Sequence, residues 1–370
     1  MEHPIPLAEL PASLHKFCDP SGPAPVRMMA AKGLVPLGPG DLLTVLYQLS
    51  YDPDGQVAAA AGQKSGELPD NIVSGALGGE LDPRVIDFYS DKMARNEACL
   101  QIIALNQATA DETIARVARK SSESLSEIIA TNEQRLLRCP QIIEHLYNNR
   151  QARMSTVNRA IELAVRNGIV LDGIAAFKEV AAAIQGELIV DEVGPTPADQ
   201  AFNQTLSLGE ALLLEADGEP DAIVKADEDS DLGQQRKSLQ YNVGKMSVSE
   251  KIRTATLGTP AHRALLVRDT NKLVAMAAIK CPQVNEQEVE IYTRNRALSE
   301  EIVRHIASTR EWTKSYRVKL NLVQNPKTPL PKALNFLSHL RISDINTIAR
   351  SKNVPQAIAQ AARNQIRKRK

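Results

Sequence analysis

Aromatic residues are scarce in this sequence, at 4% of 370 residues, although apolar residues as a whole reach 43%. A β-sandwich normally draws on more Tyr, Phe, Val and Thr, whereas a chain rich in Ala, Ile and Leu suits packed helices. The length exceeds what one ordinary hydrophobic core requires. We therefore predict an all-α protein with more than one domain.

Long apolar runs and closely spaced cysteines are also missing. The longest uninterrupted apolar run, residues 273–279, is far shorter than a helix that spans a bilayer. The first residues lack the basic start and apolar core of a secretory signal. The four cysteines are widely separated, with no C-x-x-C spacing. These features predict a reduced, cytoplasmic protein without membrane insertion.

Motifs that carry catalytic chemistry are likewise missing. The sequence has no GxxxxGK[ST] phosphate loop, no strand-associated GxGxxG, no HExxH and no GxSxG. Cys139 and His145 are six residues apart, a poor separation for a shared metal on one helix. We therefore predict no enzymatic activity, cofactor, metal site or small-molecule substrate.

What the sequence does contain is a repeated pattern. Residues 51–64 read YDPDGQVAAAAGQK, and residues 268–281 read RDTNKLVAMAAIKC. An offset of 217 residues aligns Asp52 with Asp269 and matches the alanine-rich segments that follow. Three further blocks match in the same order at an offset of 217 or 219 residues. Such ordered self-similarity predicts an internal duplication.

Each matching block joins a polar turn to a short amphipathic helix. Asn106 aligns with Asn325 in one of these turns. Polar residues followed by proline are typical of helix N-termini, and a Thr-x-x-Glu sequence is typical of a capping box. The predicted helix starts are Asp82-Pro83, Thr259-Pro260, Thr328-Pro329, and Thr109 with Glu112 as a capping box.

One longer helix is expected between residues 310 and 323. There, Trp312, Tyr316, Leu320 and Val323 recur at helical spacing and would form one buried face.

Helices this short must stack on neighbours to bury their apolar faces. Units such as NPKTPLPKALNFLSHL and NVPQAIAQAARN resemble the short-hairpin variants of HEAT-like helical repeats. The resemblance covers roughly residues 40–165 and 248–366, and the last hundred residues also resemble a bacterial family of repeat proteins. It implies an α-solenoid in two duplicated arrays, with extended binding surfaces and no particular activity.

The segment between the two arrays is strongly acidic. Residues 187–231 contain thirteen acidic residues and one basic residue, Lys225. This composition predicts a flexible, disordered linker. Within it, residues 205–216 form an apolar island, which is either a docking helix or a residual solenoid helix. The predicted domains are a Pro-rich irregular arm (1–27), an N-terminal array (28–186), the linker (187–235) and a C-terminal array (236–370).

The C-terminal array is strongly basic. Residues 236–370 contain 26 Lys and Arg against nine Asp and Glu, although the whole chain has no net charge. If the basic side chains converge on one concave face, they would form a groove for a polyanion or an acidic partner. The candidate residues are Arg310, Lys314, Arg317, Lys327, Lys332, Arg341, Arg350, Lys352, Arg363, Arg367, Lys368, Arg369 and Lys370.

These features predict a non-enzymatic scaffold or adaptor that binds protein partners along its solenoid surfaces. The alternative is nucleic-acid binding by residues 236–370, with the acidic linker as an internal competitor. A third interpretation is a helical-repeat DNA-repair enzyme, because such folds include DNA glycosylases. The scaffold is favoured because solenoids mostly present extended surface.

Overall fold

The computed structural model describes residues 4–186, 196–227, 230–351 and 353–369. Most of these residues are helical and none lies in a strand, which confirms the all-α prediction. The chain divides into two compact units, Met1–Leu171 and Asp172–Lys370.

The first unit begins with a 3₁₀ turn, Leu7–Glu9. Its helices are α1 (Ala12–Cys18), α2 (Ala24–Ala31), α3 (Pro39–Leu49), α4 (Gly55–Gly66), α5 (Asp70–Leu77), α6 (Pro83–Lys92), α7 (Glu97–Leu105), α8 (Asp111–Ala118), α9 (Glu123–Ala130), α10 (Glu133–Arg138), α11 (Gln141–Asn148) and α12 (Met154–Arg166).

The second unit contains one 3₁₀ turn in its described part, Trp312–Lys314. Its helices are α13 (Phe177–Gln185), α14 (Pro197–Glu215), α15 (Pro220–Lys225), α16 (Asp231–Lys245), α17 (Val248–Leu257), α18 (Pro260–Leu266), α19 (Lys272–Lys280), α20 (Glu286–Arg294), α21 (Glu300–Ser308), α22 (Tyr316–Gln324), α23 (Leu330–Ser338), α24 (Ile342–Arg350) and α25 (Gln356–Arg369).

Helices of the first unit pack in two rows. In one row, α5 contacts α7, α7 contacts α9, and α9 contacts α12; in the other, α6 contacts α8 and α8 contacts α11. The rows meet where α6 packs on α7, α8 on α9 and α11 on α12. Side chains such as Val73, Ile103, Ile114 and Leu146 are buried between them.

The second unit has a similar alternation. One row runs through α17, α19 and α21, and the other through α18, α20 and α22. At one end, α13 packs against α17 and α19, while α14 packs against α16, α17 and α18. At the other end, α23 packs on α22, and α25 packs on α23 and α24.

Buried asparagine side chains connect helices of the same row. The Nδ2 of Asn149, just after α11, donates to the carbonyl oxygens of Ala118 and Ser121, at 3.0 and 2.8 Å. Its Oδ1 accepts from the N–H of Gln151 at 3.0 Å. The last carbonyls of a helix have no partner within that helix. The Asn149 side chain therefore satisfies the carbonyl of Ala118, the last residue of α8.

The same arrangement recurs in both units. Asn106 follows α7 and donates to the carbonyls of Leu77 and Gly79 near the end of α5, at 2.6 and 2.9 Å. In the second unit, Asn325 follows α22 and donates to the carbonyl of Thr293 in the last turn of α20, at 3.1 Å. Asn106 and Asn325, which the sequence aligns, therefore perform the same structural task.

The two aligned stretches also share a local structure. Asp52 Oδ1 accepts from the N–H of Asp54, and Asp269 Oδ1 accepts from the N–H of Asn271. Asp54 and Asn271 then cap the N-termini of α4 and α19. The repeated pattern thus encodes the same turn and helix start in each unit.

The predicted helix starts have mixed outcomes. Asp82 caps α6, with Pro83 as the first helical residue, as predicted. Thr259 is the N-cap residue of α18, with Pro260 as the first helical residue, as predicted. The Thr259 N–H donates to His262 Nδ1 at 3.0 Å. The capping box at Thr109 is wrong: α8 begins at Asp111, and the Thr109 hydroxyl donates to the Ile103 carbonyl instead.

Thr328 does not cap the helix that follows it either. Helix α23 begins one residue later than predicted, after Pro329.

The single helix predicted over residues 310–323 is wrong. Ser315 adopts an extended conformation between the 3₁₀ turn and α22, so the helical register restarts at Tyr316. The buried side chains of α22 are consequently Val318, Leu322 and Val323, and Trp312 lies outside that helix.

The disordered linker predicted between residues 187 and 235 is wrong for the part that the structure describes. Helix α14 buries Phe202, Leu206 and Leu212, which lie on one apolar face of the helix. The net charge of the segment, on which the disorder prediction was based, does not reveal this face. The apolar island at 205–216 belongs to this helix. Residues 187–195 and 228–229 lie outside the described residues.

The unit boundary also differs from the predicted domain boundaries. Helix α13 belongs to the second unit, because its apolar face packs on α17 and α19 and Glu179 pairs with Lys280 at 2.6 Å. The N-terminal arm is not irregular, since it contains α1, which packs on α3. Within this arm, the backbone N–H and carbonyl of Ile5 form hydrogen bonds with the Gln48 side chain.

A buried ion pair connects α18 to α20. Arg263 donates to both carboxylate oxygens of Glu288, each at 2.9 Å, and these residues are 2% and 1% exposed. The Tyr292 hydroxyl donates to the same carboxylate at 3.0 Å. Burial alone would lower the pKa of Arg263, but its hydrogen bonds to Glu288 raise that pKa above its usual value.

We expect Glu288→Gln to lower the free energy of unfolding of the second unit by about 3–5 kcal/mol, because the Arg263 charge would remain buried without its counter-ion. The matched control is Glu300→Gln, since Glu300 forms an exposed i, i+4 pair with Arg304. The control should cost less than about 1 kcal/mol. Urea denaturation followed by circular dichroism measures both, and equal effects would contradict the prediction.

Candidate functional site

Several of the predicted basic residues are engaged within the protein. Lys327 Nζ donates to the backbone carbonyls of Ala297 and Leu298, so it supports the turn before α21. Arg317 lies 3.4 Å from Glu290 in an ion pair, and the Arg341 guanidinium stacks 5.0 Å from the centre of the Tyr316 ring. Of these, Lys327 is the least available to an outside ligand.

The remaining candidates are distributed along the second unit. Arg310, Lys314, Lys332, Arg350, Arg363, Arg367 and Lys368 are exposed, and none has an ion-pair partner among the residues that the structure covers. Arg369 is the last residue of α25. Lys352 and Lys370 lie outside the described residues.

The structure brings only some of the candidates together. Tyr316, in the first turn of α22, contacts Arg341 and Asp344 at the start of α24, so Arg341 lies beside the helix that contains Arg317. Arg363 reaches the Ala349 carbonyl at 3.3 Å, beside Arg350 at the end of α24. Their convergence on one concave face stays a prediction.

A pocket of about 600 Å³ lies among α14, α15, α16, α17 and α18 of the second unit. Apolar side chains from four of these helices line it: Leu212, Ile223, Leu239, Val243, Ala261 and Ala264. Three basic side chains, Arg236, Lys251 and Arg268, and one carboxylate, Asp269, also line it. None of these four charged residues was singled out from the sequence as a site residue.

Most of the charged side chains of this pocket have partners within the protein. Lys251 pairs with Asp269 at 3.1 Å, and Arg236 donates to the Ile223 carbonyl at 3.1 Å. Arg268 has no ion-pair partner in the described part of the chain. Partial desolvation and the neighbouring charge of Arg236 lower the pKa of Arg268.

The pocket depends on the docking of α14 onto α18. His262 Nδ1 accepts from the Thr259 N–H, so Nε2 carries the proton and donates to the Thr205 carbonyl of α14 at 2.9 Å. Gly209 allows this approach: a Cβ there would lie 1.9 Å from His262 Cε1. The Thr259 hydroxyl also donates to the Gly209 carbonyl at 3.2 Å.

The sequence did not predict this pocket, because the acidic composition of residues 187–231 indicates a disordered linker where α14 and α15 form. One available signal was a glycine inside the apolar island TLSLGEALLLEA, since an interior helical glycine often marks a close approach by another element.

Comparisons with protein-family models, with curated proteins and with solved structures found no match to this chain. Among the described residues, no group of three or more His, Cys, Asp or Glu side chains is arranged to hold a metal ion. The same part of the chain has no helix with the length and apolar character needed to cross a bilayer. All four cysteines are unpaired thiols.

We expect Gly209→Ala to destabilise the second unit by about 1–3 kcal/mol, because the new methyl group overlaps the His262 ring. Gly62→Ala is the control, since a Cβ at Gly62 in α4 meets nothing within 4 Å. The control should stabilise its helix by about 0.4–1 kcal/mol. Urea unfolding measures both changes; stabilisation by Gly209→Ala would contradict the close packing of α14 on α18.

Proposed function

We propose that this protein is a non-enzymatic helical-repeat scaffold whose two duplicated arrays bind protein partners. The regular bonding between helices of the same row supports the α-solenoid organisation, because Asn106, Asn149 and Asn325 each join a helix end to one about thirty residues earlier. Repeats stacked in this way leave one face of each helix free for a ligand.

The observation that carries the proposal is the exposure of large apolar side chains on consecutive helices. Leu330 and Leu334 lie one turn apart on α23 and are 43% and 39% exposed, and Ile342 at the start of α24 is 50% exposed. Isolated exposed leucines are common, but an i, i+4 pair followed by a third apolar residue is suited to a partner helix.

The charge around these residues indicates the character of the partner. Arg341 immediately precedes Ile342 at the start of α24 and is exposed. The array from residue 236 onward is strongly basic. An acidic amphipathic helix would complement both the apolar side chains and the positive charge.

A displayed library of 16-residue peptides, selected on the full chain, tests this proposal. We expect the enriched sequences to be acidic, with apolar residues at i and i+4. Leu334→Asp should weaken their binding at least about tenfold, because it removes an apolar contact and repels the acidic partner.

The matched control is Leu105→Asp, because Leu105 is 68% exposed in the first unit. This variant should retain peptide binding by the second unit. Failure to enrich any acidic amphipathic sequence, or equal affinity of the Leu334→Asp variant for the enriched peptides, would contradict the proposal.

Nucleic-acid binding is the second candidate, because several of the predicted basic residues are exposed without an ion-pair partner in the described ranges. In that case, a fluorescent DNA duplex would bind the full chain with an affinity that falls steeply with salt. If the Leu334→Asp variant retains this salt-dependent DNA binding, nucleic-acid binding is favoured over the protein scaffold.

A further inference from the structure

Helix α13 covers one face of the second unit, formed by the sides of α17 and α19 on which it packs. We call this surface the α17/α19 face. The buried side chains of α13 are Val180, Ala183 and Ile184, together with the acidic side chain of Glu179. The α17/α19 face therefore accommodates a short amphipathic helix that carries one carboxylate among small and medium apolar side chains.

The carboxylate of α13 meets a basic side chain of α19. Glu179 Oε1 accepts from Lys280 Nζ at 2.6 Å, and the two side chains are 11% and 28% exposed. Lys280 is the last residue of α19, where the helix dipole favours a cation. Glu179 Oε2 is also buried, yet it accepts no hydrogen bond in the part of the chain that the structure describes. Since a buried oxygen without a donor costs free energy, this carboxylate is only half satisfied.

Helix α13 depends on this packing for its stability. It has nine residues, and its N-cap residue, Ala176, has no side chain that could accept a hydrogen bond from the first turn. Helices of this length are marginal when isolated, so α13 is held by its contacts with the α17/α19 face. A helix held in this way opens locally at a lower cost than the core does. A competing helix can therefore replace it.

We propose that the α17/α19 face is a second partner-binding surface, which α13 covers as an internal competitor. The partner is an amphipathic helix of another protein, with a carboxylate placed for Lys280. Its apolar side chains follow one, four and five residues later, as they follow Glu179 in α13. Because α13 belongs to the same chain, it competes at a high effective concentration. This surface is separate from the exposed apolar residues on α23 and α24, so it does not depend on binding there.

Fluorescence anisotropy of a labelled peptide with the sequence of residues 174–186, added to the full chain, tests the proposal. Two variants of the chain undock α13: Val180→Asp places a charge on its buried face, and Glu179→Lys sets like charges together at Lys280. Each should bind the peptide at least about tenfold more tightly than the unchanged chain, because the internal competitor is removed. The matched control is Ala182→Asp, since Ala182 is exposed on α13. It should bind as the unchanged chain does.

The role of Lys280 is tested in the Val180→Asp chain. There, Lys280→Glu should weaken peptide binding at least about tenfold, and a peptide that carries Glu179→Lys should restore it. Lys272→Glu is the control, since Lys272 forms an exposed pair with Glu301 at the start of α19. Circular dichroism verifies that each variant remains folded.

Equal affinity of the Val180→Asp, Glu179→Lys and Ala182→Asp chains for the peptide would overturn the proposal, as would equal effects of Lys280→Glu and Lys272→Glu. Leu334→Asp should leave this binding unchanged, so the two partner-binding surfaces are tested separately.

Discussion

The rest of the structure depends on how the open ends of short helices are satisfied. A helix of eight or nine residues leaves its last carbonyl groups unbonded, and few of its residues are far from an end. Half-buried Asn106 and buried Asn149 and Asn325 donate to carbonyls near the end of an earlier helix of the same row, and each orders its own turn through Oδ1. Each asparagine thereby connects two helices of one row.

At the start of the second unit, the contact between Gly209 and His262 has a comparable role. It joins α14, from an acidic segment, to α18, at the beginning of the basic array. The space enclosed by α14–α18 is lined by apolar side chains and by Arg236 and Arg268. This pocket therefore depends on α14, whose apolar face is not evident from the acidic composition of its segment.

Local patterns predicted the helical class and much of the local structure. The alignment of Asp52 with Asp269 identified equivalent turns because both depend on neighbouring hydrogen bonds within a few residues. Contacts distant in sequence were not predictable in the same way. The pairing of Arg263 with Glu288, and the pocket around Arg268, depend on which helices meet, and periodicity leaves that undetermined.

The most direct test of the asparagine connections is hydrogen exchange in Asn149→Ala, compared with its neighbour Asn148→Ala. Asn149 is buried, whereas Asn148 is exposed and its side chain donates to the Glu144 carbonyl one turn back. We expect exchange at least about tenfold faster in α8 and α11 of Asn149→Ala, with α3 and α4 unchanged. Identical protection in the two variants, or a uniform loss across the chain, would contradict it.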